Sequence, residues 1–193
     1  MKIVGTGCGP GMLTEEAIRA IREAGKIYGS ERAIAMVREY IPADCTVGKI
    51  RDYKNLDCLP RDSVILSTGD PMLAGLGNLA GEVIPGISSL QVASARLRIP
   101  LARISVVLAH GRDHGAAYSE TIGELSRGKI VFLVADPGFD VRGLGESLLP
   151  VFSDTKIALC EDLGYPAEQI RVGSCREPPV PGSSLFSLMI GDF

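Results

Sequence analysis

Short apolar runs alternate with helix-like patterns through the first hundred residues, and this alternation restricts the possible folds more than any other feature of the sequence. The runs occupy residues 2–4, 26–28, 64–66 and 82–84, and each is followed by glycine, serine or proline before the next helical pattern begins. Short runs bounded by turn residues are typical of buried strands. Because strands joined through helices lie parallel, the first half predicts a mostly parallel sheet covered by helices.

The second half contains more strand-like runs than helical patterns. Apolar runs occupy residues 104–108, 130–134, 156–159, 170–172 and 185–189. Since strands outnumber helices here, the predicted sheet is mixed. The predicted fold class is therefore α/β with two α/β domains, an N-terminal domain over residues 1–102 and a C-terminal domain over residues 103–193.

Residues 67–71, Ser-Thr-Gly-Asp-Pro, predict a ligand-binding turn at the end of a buried strand. Gly69 permits a tight turn or a close approach of the backbone to a ligand, and the proline after Asp70 holds that residue extended. A carboxylate and several backbone amides then lie at the carboxyl end of a strand, where open α/β sheets bind ligands. An ordinary strand-to-helix turn is the alternative. The helix that follows is predicted from Leu73, Leu76 and Leu79 at helical spacing.

A glycine-rich loop at residues 5–11 follows the first apolar run and precedes a helix with Thr14 at its start. That context is typical of a dinucleotide-binding turn. However, the spacing G-x-G-x-G-P-G puts Pro10 where a phosphate loop should enter its helix, and no acidic residue ends the second strand. The sequence therefore disfavours a nicotinamide cofactor.

Polar residues at 110–114 follow the strand predicted at 104–108. Two histidines four residues apart can bind a metal from one helix face, but the glycines among them argue against a helix and no third ligand is evident. The sequence therefore predicts no metal site. Arg112 offers paired donors that suit a carboxylate, so a carboxylate-binding loop and a solvated polar loop both remain possible.

The composition excludes several classes of function. The chain has 20 Lys and Arg against 23 Asp and Glu, a net charge of -3, which disfavours general nucleic-acid binding because such binding needs a basic face. No apolar run approaches the roughly 18 residues of a membrane helix, and the N-terminal residues lack a signal-peptide pattern. The five cysteines have no metal or redox spacing and do not indicate a disulfide framework. We expect a soluble cytoplasmic protein without nucleic-acid or membrane partners.

Several segments, taken in order, resemble the tetrapyrrole methylase family of S-adenosylmethionine methyltransferases, which modify corrinoid and sirohaem precursors. The matching segments in the first half are Gly7-Cys8-Gly9-Pro10-Gly11 with Leu13-Thr14, Thr68-Gly69-Asp70-Pro71, and Pro85-Gly86-Ile87-Ser88-Ser89. Residues 130–136 and 159–162 resemble segments of the family's second domain. The resemblance implies S-adenosylmethionine in the cleft between two α/β domains, a tetrapyrrole substrate and a homodimer.

The resemblance also implies individual contacts. For the cofactor, the implied residues are Thr68, Gly69, Asp70, Leu73, Ser88, Ser89 and Leu133, with looser matches at Pro10, Leu163 and Leu185. The substrate carries many carboxylates, which His110 and Arg112 would hold, with Arg32 and Arg96 as further candidates. The resemblance identifies no acceptor for the proton that the methylated carbon must lose, so no catalytic residue is assigned.

Within the family, three features resemble the subgroup that methylates C-5 of a corrin precursor in cobalamin biosynthesis. They are Gly29-Ser30-Glu31-Arg32, Ser88-Ser89-Leu90-Gln91 with Ala95-Arg96-Leu97, and His110-Gly111-Arg112. The module that methylates C-15 in some fused relatives is not expected here, so C-5 methylation alone is implied. Another methylase of the family, acting on uroporphyrinogen, a different precorrin or a non-tetrapyrrole target, is one alternative. A non-catalytic nucleotide-binding module is another.

Overall fold

A computed structural model describes residues 1–111 and 113–193 of the chain. The chain divides into two compact units, Met1–Ser89 and Leu90–Phe193. Each unit contains a five-stranded sheet, which confirms the predicted α/β class. The domain boundary predicted at residues 102 and 103 falls inside the second unit.

The sheet of the first unit is entirely parallel. Its strands are β1 (Lys2–Gly5), β2 (Lys26–Gly29), β3 (Thr46–Lys49), β4 (Val64–Ser67) and β5 (Glu82–Ile84). They lie in the order β3-β2-β4-β1-β5. The helices of this unit are α1 (Glu15–Arg22), α2 (Glu31–Val37) and the short α3 (Pro71–Ala74). β3 was not predicted, because this edge strand is largely exposed and shows no apolar run.

Hydroxyl side chains begin the first two helices, as their sequences predict. Thr14 Oγ1 accepts a hydrogen bond from Ala17 N at 3.1 Å, and Ser30 Oγ accepts one from Ala33 N at 3.1 Å. These caps satisfy backbone donors that have no partner within the helix. The buried face of α1 packs with apolar residues of α2 and of strands β1, β2, β4 and β5 in one core cluster.

The helix predicted through Leu79 is wrong, since α3 ends at Ala74. Glycine is a poor helix former, and Gly75 and Gly77 follow at once. The chain turns back instead, and Gly77 N donates to Pro71 O at 3.0 Å.

The second unit has a mixed sheet, which confirms the prediction for this half. Its elements are α4 (Ser89–Leu97, whose first residue belongs to the first unit), β6 (Ile104–Leu108), α5 (His114–Ser126), β7 (Ile130–Val134), α6 (Val141–Leu148), β8 (Lys156–Glu161), β9 (Gln169–Ser174) and β10 (Phe186–Gly191). The strand order is β6-β7-β10-β8-β9. β6 and β7 run parallel, and the other pairs are antiparallel.

Helices α5 and α6 were not predicted. The expectation that the two histidines do not share a helix is confirmed, since His110 and Gly111 lie before α5 and only His114 lies within it. α5 begins at His114 and continues through two glycines. Its hydroxyl residues bond to carbonyls of the preceding turn, as Thr121 Oγ1 does to Ala117 O at 2.8 Å. Ala117 and Leu125 pack with Leu133 and Leu188 in the apolar core of the unit, so tertiary packing outweighs weak helix propensity.

Among the described residues, no helix has the length and apolar character needed to cross a membrane.

Candidate functional site

The carboxyl edge of the first sheet brings together the loops that the sequence singled out. In the order β2-β4-β1-β5, neighbouring parallel strands end at the same edge, so the loops that follow them lie side by side. Such an edge is where open α/β sheets bind ligands. The predicted cofactor residues on these loops and the helices they enter are Pro10, Thr68, Gly69, Asp70, Leu73, Ser88 and Ser89.

Gly69 links two of these loops through its backbone. Its N–H donates to Gly7 O at 2.8 Å, and Gly7 N–H donates back to Gly69 O at 3.3 Å. The φ angle of Gly69 is 71°, in the left-handed region that side chains other than glycine rarely adopt. A Cβ atom at this position would have nothing within 4 Å, so the unit leaves open space beside the backbone that the sequence assigns to a ligand.

Glycines also bring the loop after β5 against the other two. A Cβ atom on Gly86 would lie 2.3 Å from Gly69 O, and one on Gly5 would lie 2.5 Å from Gly86 N. Both distances are far too short for a real side chain. The three segments therefore meet backbone to backbone, which the sequence does not reveal from spacing alone.

The carboxylate of Asp70 joins the loop after β4 to the loop after β5. Its Oδ1 accepts a hydrogen bond from Met72 N at 2.7 Å, which caps α3. Its Oδ2 accepts one from Gly86 N at 3.0 Å. Bonds from backbone N–H groups to an ionised carboxylate are stronger than neutral ones. Asp70 thus fixes the geometry of the edge and keeps further lone pairs for a ligand.

The remaining predicted residues of this edge differ in exposure. Thr68 is half-buried and its Oγ1 accepts a hydrogen bond from Arg32 Nη2 at 3.1 Å. Ser88 is buried and Ser89 is half-buried at the start of α4. Pro10 is exposed on the first loop. Both polar and apolar groups are therefore available at one edge.

The predicted cofactor residues of the second unit lie in two places. Leu163 follows β8 and Leu185 precedes β10, and these antiparallel neighbours bring the two close, with Asp162 N donating to Leu185 O at 3.0 Å. Leu133 lies within β7, and its side chain is completely buried in the apolar core.

Among the predicted substrate residues, His110 is exposed and lies shortly after β6. Its backbone N–H donates to Val134 O at 3.1 Å. Arg112 lies outside the described residues, so its role stays a prediction. Arg96 is already paired, since its Nε lies 2.6 Å from Glu168 Oε1. That hydrogen bond is the main reason why the pKa of Glu168 lies below its usual value.

A histidine–carboxylate pair that the sequence analysis missed lies at the edge of the second sheet where β6 and β7 end. His114 Nε2 is 3.0 Å from Asp136 Oδ2, and Asp136 Oδ1 accepts from Gly138 N at 2.9 Å. The bond from His114 is the largest of the influences that hold the pKa of Asp136 below its usual value. The signal was present, because Asp136-Pro137 follows an apolar run just as Asp70-Pro71 does.

A buried carboxylate that the sequence analysis also missed ties the end of β8 to the segment before β10. Glu161 Oε2 lies 2.5 Å from Arg171 Nη2, and Oε1 accepts from Gly182 N at 2.6 Å and Ser183 N at 2.7 Å. Burial is the largest single influence and raises the pKa of Glu161. The guanidinium and the two amides together outweigh it, so the pKa lies below its usual value.

Within residues 1–111 and 113–193, no group of three or more His, Cys, Asp and Glu side chains is arranged to hold a metal ion.

Comparison with known proteins first defines a class, the S-adenosylmethionine-dependent C-methyltransferases. A model of the tetrapyrrole (corrin/porphyrin) methylases matches residues 2–179, and the chain belongs to that family. The family resemblance read from the sequence is thereby confirmed.

Two curated relatives cover most of the chain. The probable cobalt-precorrin-7 C(5)-methyltransferase of Methanocaldococcus jannaschii is 29% identical over 189 residues, which is 89% of this chain and 88% of the relative. The decarboxylating precorrin-6Y C(5,15)-methyltransferase of Mycobacterium tuberculosis is 26% identical over 200 residues and 92% of this chain. The chain spans 48% of that longer relative.

A solved structure has the same fold over almost the whole chain. The crystal structure of the cobalamin biosynthesis precorrin-6Y methylase from Archaeoglobus fulgidus matches with a TM-score of 0.77 and 28% identity. The match covers 99% of this chain and 97% of that one.

Proposed function

We propose that this protein transfers a methyl group from S-adenosylmethionine to C-5 of cobalt-precorrin-7, or of the corresponding cobalt-free precorrin, in the cytoplasmic biosynthesis of cobalamin. The observation that carries the proposal is the agreement of two comparisons. The match to a relative named for C(5) methylation covers 88% of that relative, and the match to a solved precorrin-6Y methylase covers 97% of that chain.

The cofactor in this proposal lies against the carboxyl edge of the first sheet. Gly69 leaves open space there and turns through a left-handed conformation. Thr68 and Ser89 offer hydroxyl groups, Asp70 offers a carboxylate that the backbone holds in place, and Leu73 offers an apolar side chain. These groups suit a ligand that carries amino, hydroxyl and apolar parts, as S-adenosylmethionine does. From the second unit we assign contacts to Leu163 and Leu185. Leu133 stays an implied contact only, because it is completely buried in the apolar core.

The bound cofactor supplies a methyl group that its sulfonium already activates. The protein then has to hold the ring carbon, the methyl group and the sulfur in line, and such positioning accounts for much of an enzymatic rate enhancement. In the proposal the rigid backbone contacts of Gly5, Gly69 and Gly86 serve this purpose, because they leave the edge little freedom to shift.

The substrate's carboxylates are assigned to His110 and Arg112. A guanidinium binds a carboxylate through two parallel hydrogen bonds. Arg32 is a weaker candidate, because its Nη2 already donates to Thr68. The proposal includes a homodimer, for which light scattering should give twice the 20.4 kDa of one chain.

Incubation with a panel of tetrapyrroles tests the proposed function. The protein is mixed with S-adenosylmethionine and, separately, with uroporphyrinogen, with early precorrins, and with cobalt-containing and cobalt-free precorrin-7. We expect one added methyl group, at C-5, only with the precorrin-7 forms. If uroporphyrinogen or an early precorrin is methylated, or if the methyl group is added at another ring position, the protein is a different methylase of the family.

A further inference from the structure

We infer that His114 accepts the proton that the ring carbon loses after methylation, and that Asp136 is a positioning residue for it. The inference rests on the proposed function and adds to it the one group for which no residue was assigned. It is drawn from the arrangement of four side chains at the edge of the second sheet where β6 and β7 end.

The first observation is that the imidazole of His114 is held in a single orientation. Its Nε2 lies 3.0 Å from Asp136 Oδ2, and the ring of Phe139 packs against it with centroids 5.0 Å apart. Phe139 is itself buried and meets Tyr118 edge to face. A base that is fixed in this way loses little entropy when it takes up a proton.

The second observation concerns the two ring nitrogens. Asp136 is an acceptor only, because its carboxylate is ionised, so Nε2 carries the hydrogen of the neutral imidazole. Nδ1 then carries the free lone pair. No residue in 1–111 or 113–193 makes a hydrogen bond with Nδ1, and the side chain is 30% exposed. A proton acceptor is therefore available at a site that a ligand can reach.

The third observation is where the pair lies. β6, β7 and β8 end, and β10 begins, at the same edge of the second sheet. His110, Leu163 and Leu185, to which the proposed function gives substrate and cofactor contacts, lie at that edge, and so do His114 and Asp136. A general base has to be within hydrogen-bond reach of the proton that it removes, and His114 lies at the same edge as the residues assigned to the substrate and the cofactor.

The reaction balances with this base. The ring carbon forms a bond to the methyl carbon as the bond from that carbon to sulfur breaks, which releases a neutral thioether. The same ring carbon then carries both hydrogen and methyl. Its C–H bond breaks, the electron pair returns to the ring, and the proton goes to Nδ1. The imidazolium formed is stabilised by the carboxylate of Asp136.

Chemical rescue of the variant His114→Ala is the test. With S-adenosylmethionine and the corrinoid that the wild type methylates, we expect turnover to fall by about 100-fold or more, the ordinary contribution of a general base. Affinity for S-adenosylhomocysteine should stay within about twofold. Added imidazole should restore part of the turnover in a saturable way, because it can occupy the space of the missing ring. A merely structural role would show no such rescue.

Two further variants complete the experiment. His114→Gln keeps a donor for Asp136 and removes the base, so it should be as slow as His114→Ala; it also serves if the alanine variant does not fold. Ser126→Ala is the control. Ser126 lies at the other end of the same helix, where its hydroxyl donates to Ile122 O within the helix, so this variant should match the wild type.

The outcomes separate the two proposals. If the wild type methylates the corrinoid and His114→Gln retains activity within threefold, His114 is not the base and the proposed function stands. If a folded His114→Ala protein loses activity and imidazole does not rescue it, His114 is again not the base. A wild type that methylates no corrinoid overturns the proposed function, and the inference falls with it.

Discussion

Gly69 combines a left-handed backbone angle with an open side-chain position, and a matched pair of substitutions can separate the effects of the two. Gly69→Val should weaken S-adenosylhomocysteine binding by more than about tenfold, because the new side chain fills the space proposed for the cofactor. It should also lower the free energy of unfolding by about 1–2 kcal/mol, the cost of a left-handed conformation. Calorimetric titration and urea unfolding measure the two effects.

Gly128 provides the control. Its φ of 74° nearly equals the 71° of Gly69, and a Cβ atom there would also meet nothing within 4 Å. It lies between α5 and β7, at the other edge of the second sheet. Gly128→Val should therefore lose similar stability and keep its affinity. If both variants bind the ligand as the wild type does, the cofactor does not lie beside Gly69.

At the scale of elements, the loops at the carboxyl edge of the first sheet contact one another through the backbone of their glycines. Gly86→Ala should be strongly destabilising, because its Cβ atom would overlap the carbonyl oxygen of Gly69 and the backbone of Gly5. Backbone atoms cannot rotate away, so we expect a loss of about 3 kcal/mol, the upper part of the ordinary range for overpacking. Thermal and urea unfolding give the value.

The matched control is Gly25→Ala in the same unit. A Cβ atom at Gly25 meets nothing within 4 Å, and its φ is not in the left-handed region. This replacement should leave the free energy of unfolding unchanged or raise it by up to about 1 kcal/mol, because alanine has less freedom in the unfolded chain. Equal stability of the two variants would contradict the close backbone contact.

Glu161 acts at the same scale, since it joins β8, β9 and the segment before β10. Its pKa is lower in the folded protein than in the unfolded chain, so its ionisation stabilises the fold above the unfolded pKa, about 4.3. This contribution disappears as the pH falls through the folded value. The wild type should therefore lose stability below about pH 4.3, and Glu161→Gln should lose less over the same pH range.

At neutral pH, Glu161→Gln should lower the free energy of unfolding by about 2–3 kcal/mol, because it removes a charge-assisted bond to Arg171. Glu146→Gln is the control, since that carboxylate forms an exposed pair with Arg142, and such pairs contribute about 0–1 kcal/mol. Urea unfolding at a series of pH values distinguishes the two. If the free energy of unfolding of Glu161→Gln and of the wild type changed with pH in parallel, ionisation of Glu161 would not stabilise the fold.

At the scale of the whole molecule, ligand binding and folding are linked. S-adenosylhomocysteine at 100 times its Kd should stabilise the folded protein by about 2.7 kcal/mol. For a chain of this size that corresponds to a rise in Tm of about 5–10 °C. NAD and ATP at the same concentration should give no shift. Differential scanning fluorimetry measures all three, and a folded protein that ignores S-adenosylhomocysteine would not fit a methyltransferase.

The sequence predicted the features that depend on local chemistry. Strand ends, the caps Thr14 and Ser30, and the cluster of loops around Asp70 all follow from turn residues beside apolar runs. It missed β3, because an exposed edge strand needs no apolar pattern, and α5, because its packing partners are distant in sequence. The pairs His114–Asp136 and Glu161–Arg171 were missed for the same reason, since each joins side chains that only the sheet brings together.

The position of β4 in the first sheet sets an order of events during synthesis on the ribosome. β1 and β2 do not pair with each other, and each pairs with β4, which lies between them. At about 5–20 residues per second, translation from β1 to the end of β4 takes roughly 3–12 s. Throughout that interval the apolar residues Ile3 and Val4 have no strand beside them in the nascent chain. Any pause in translation before Val64 therefore prolongs the exposure of two side chains, Ile3 and Val4, that are completely buried in the folded protein.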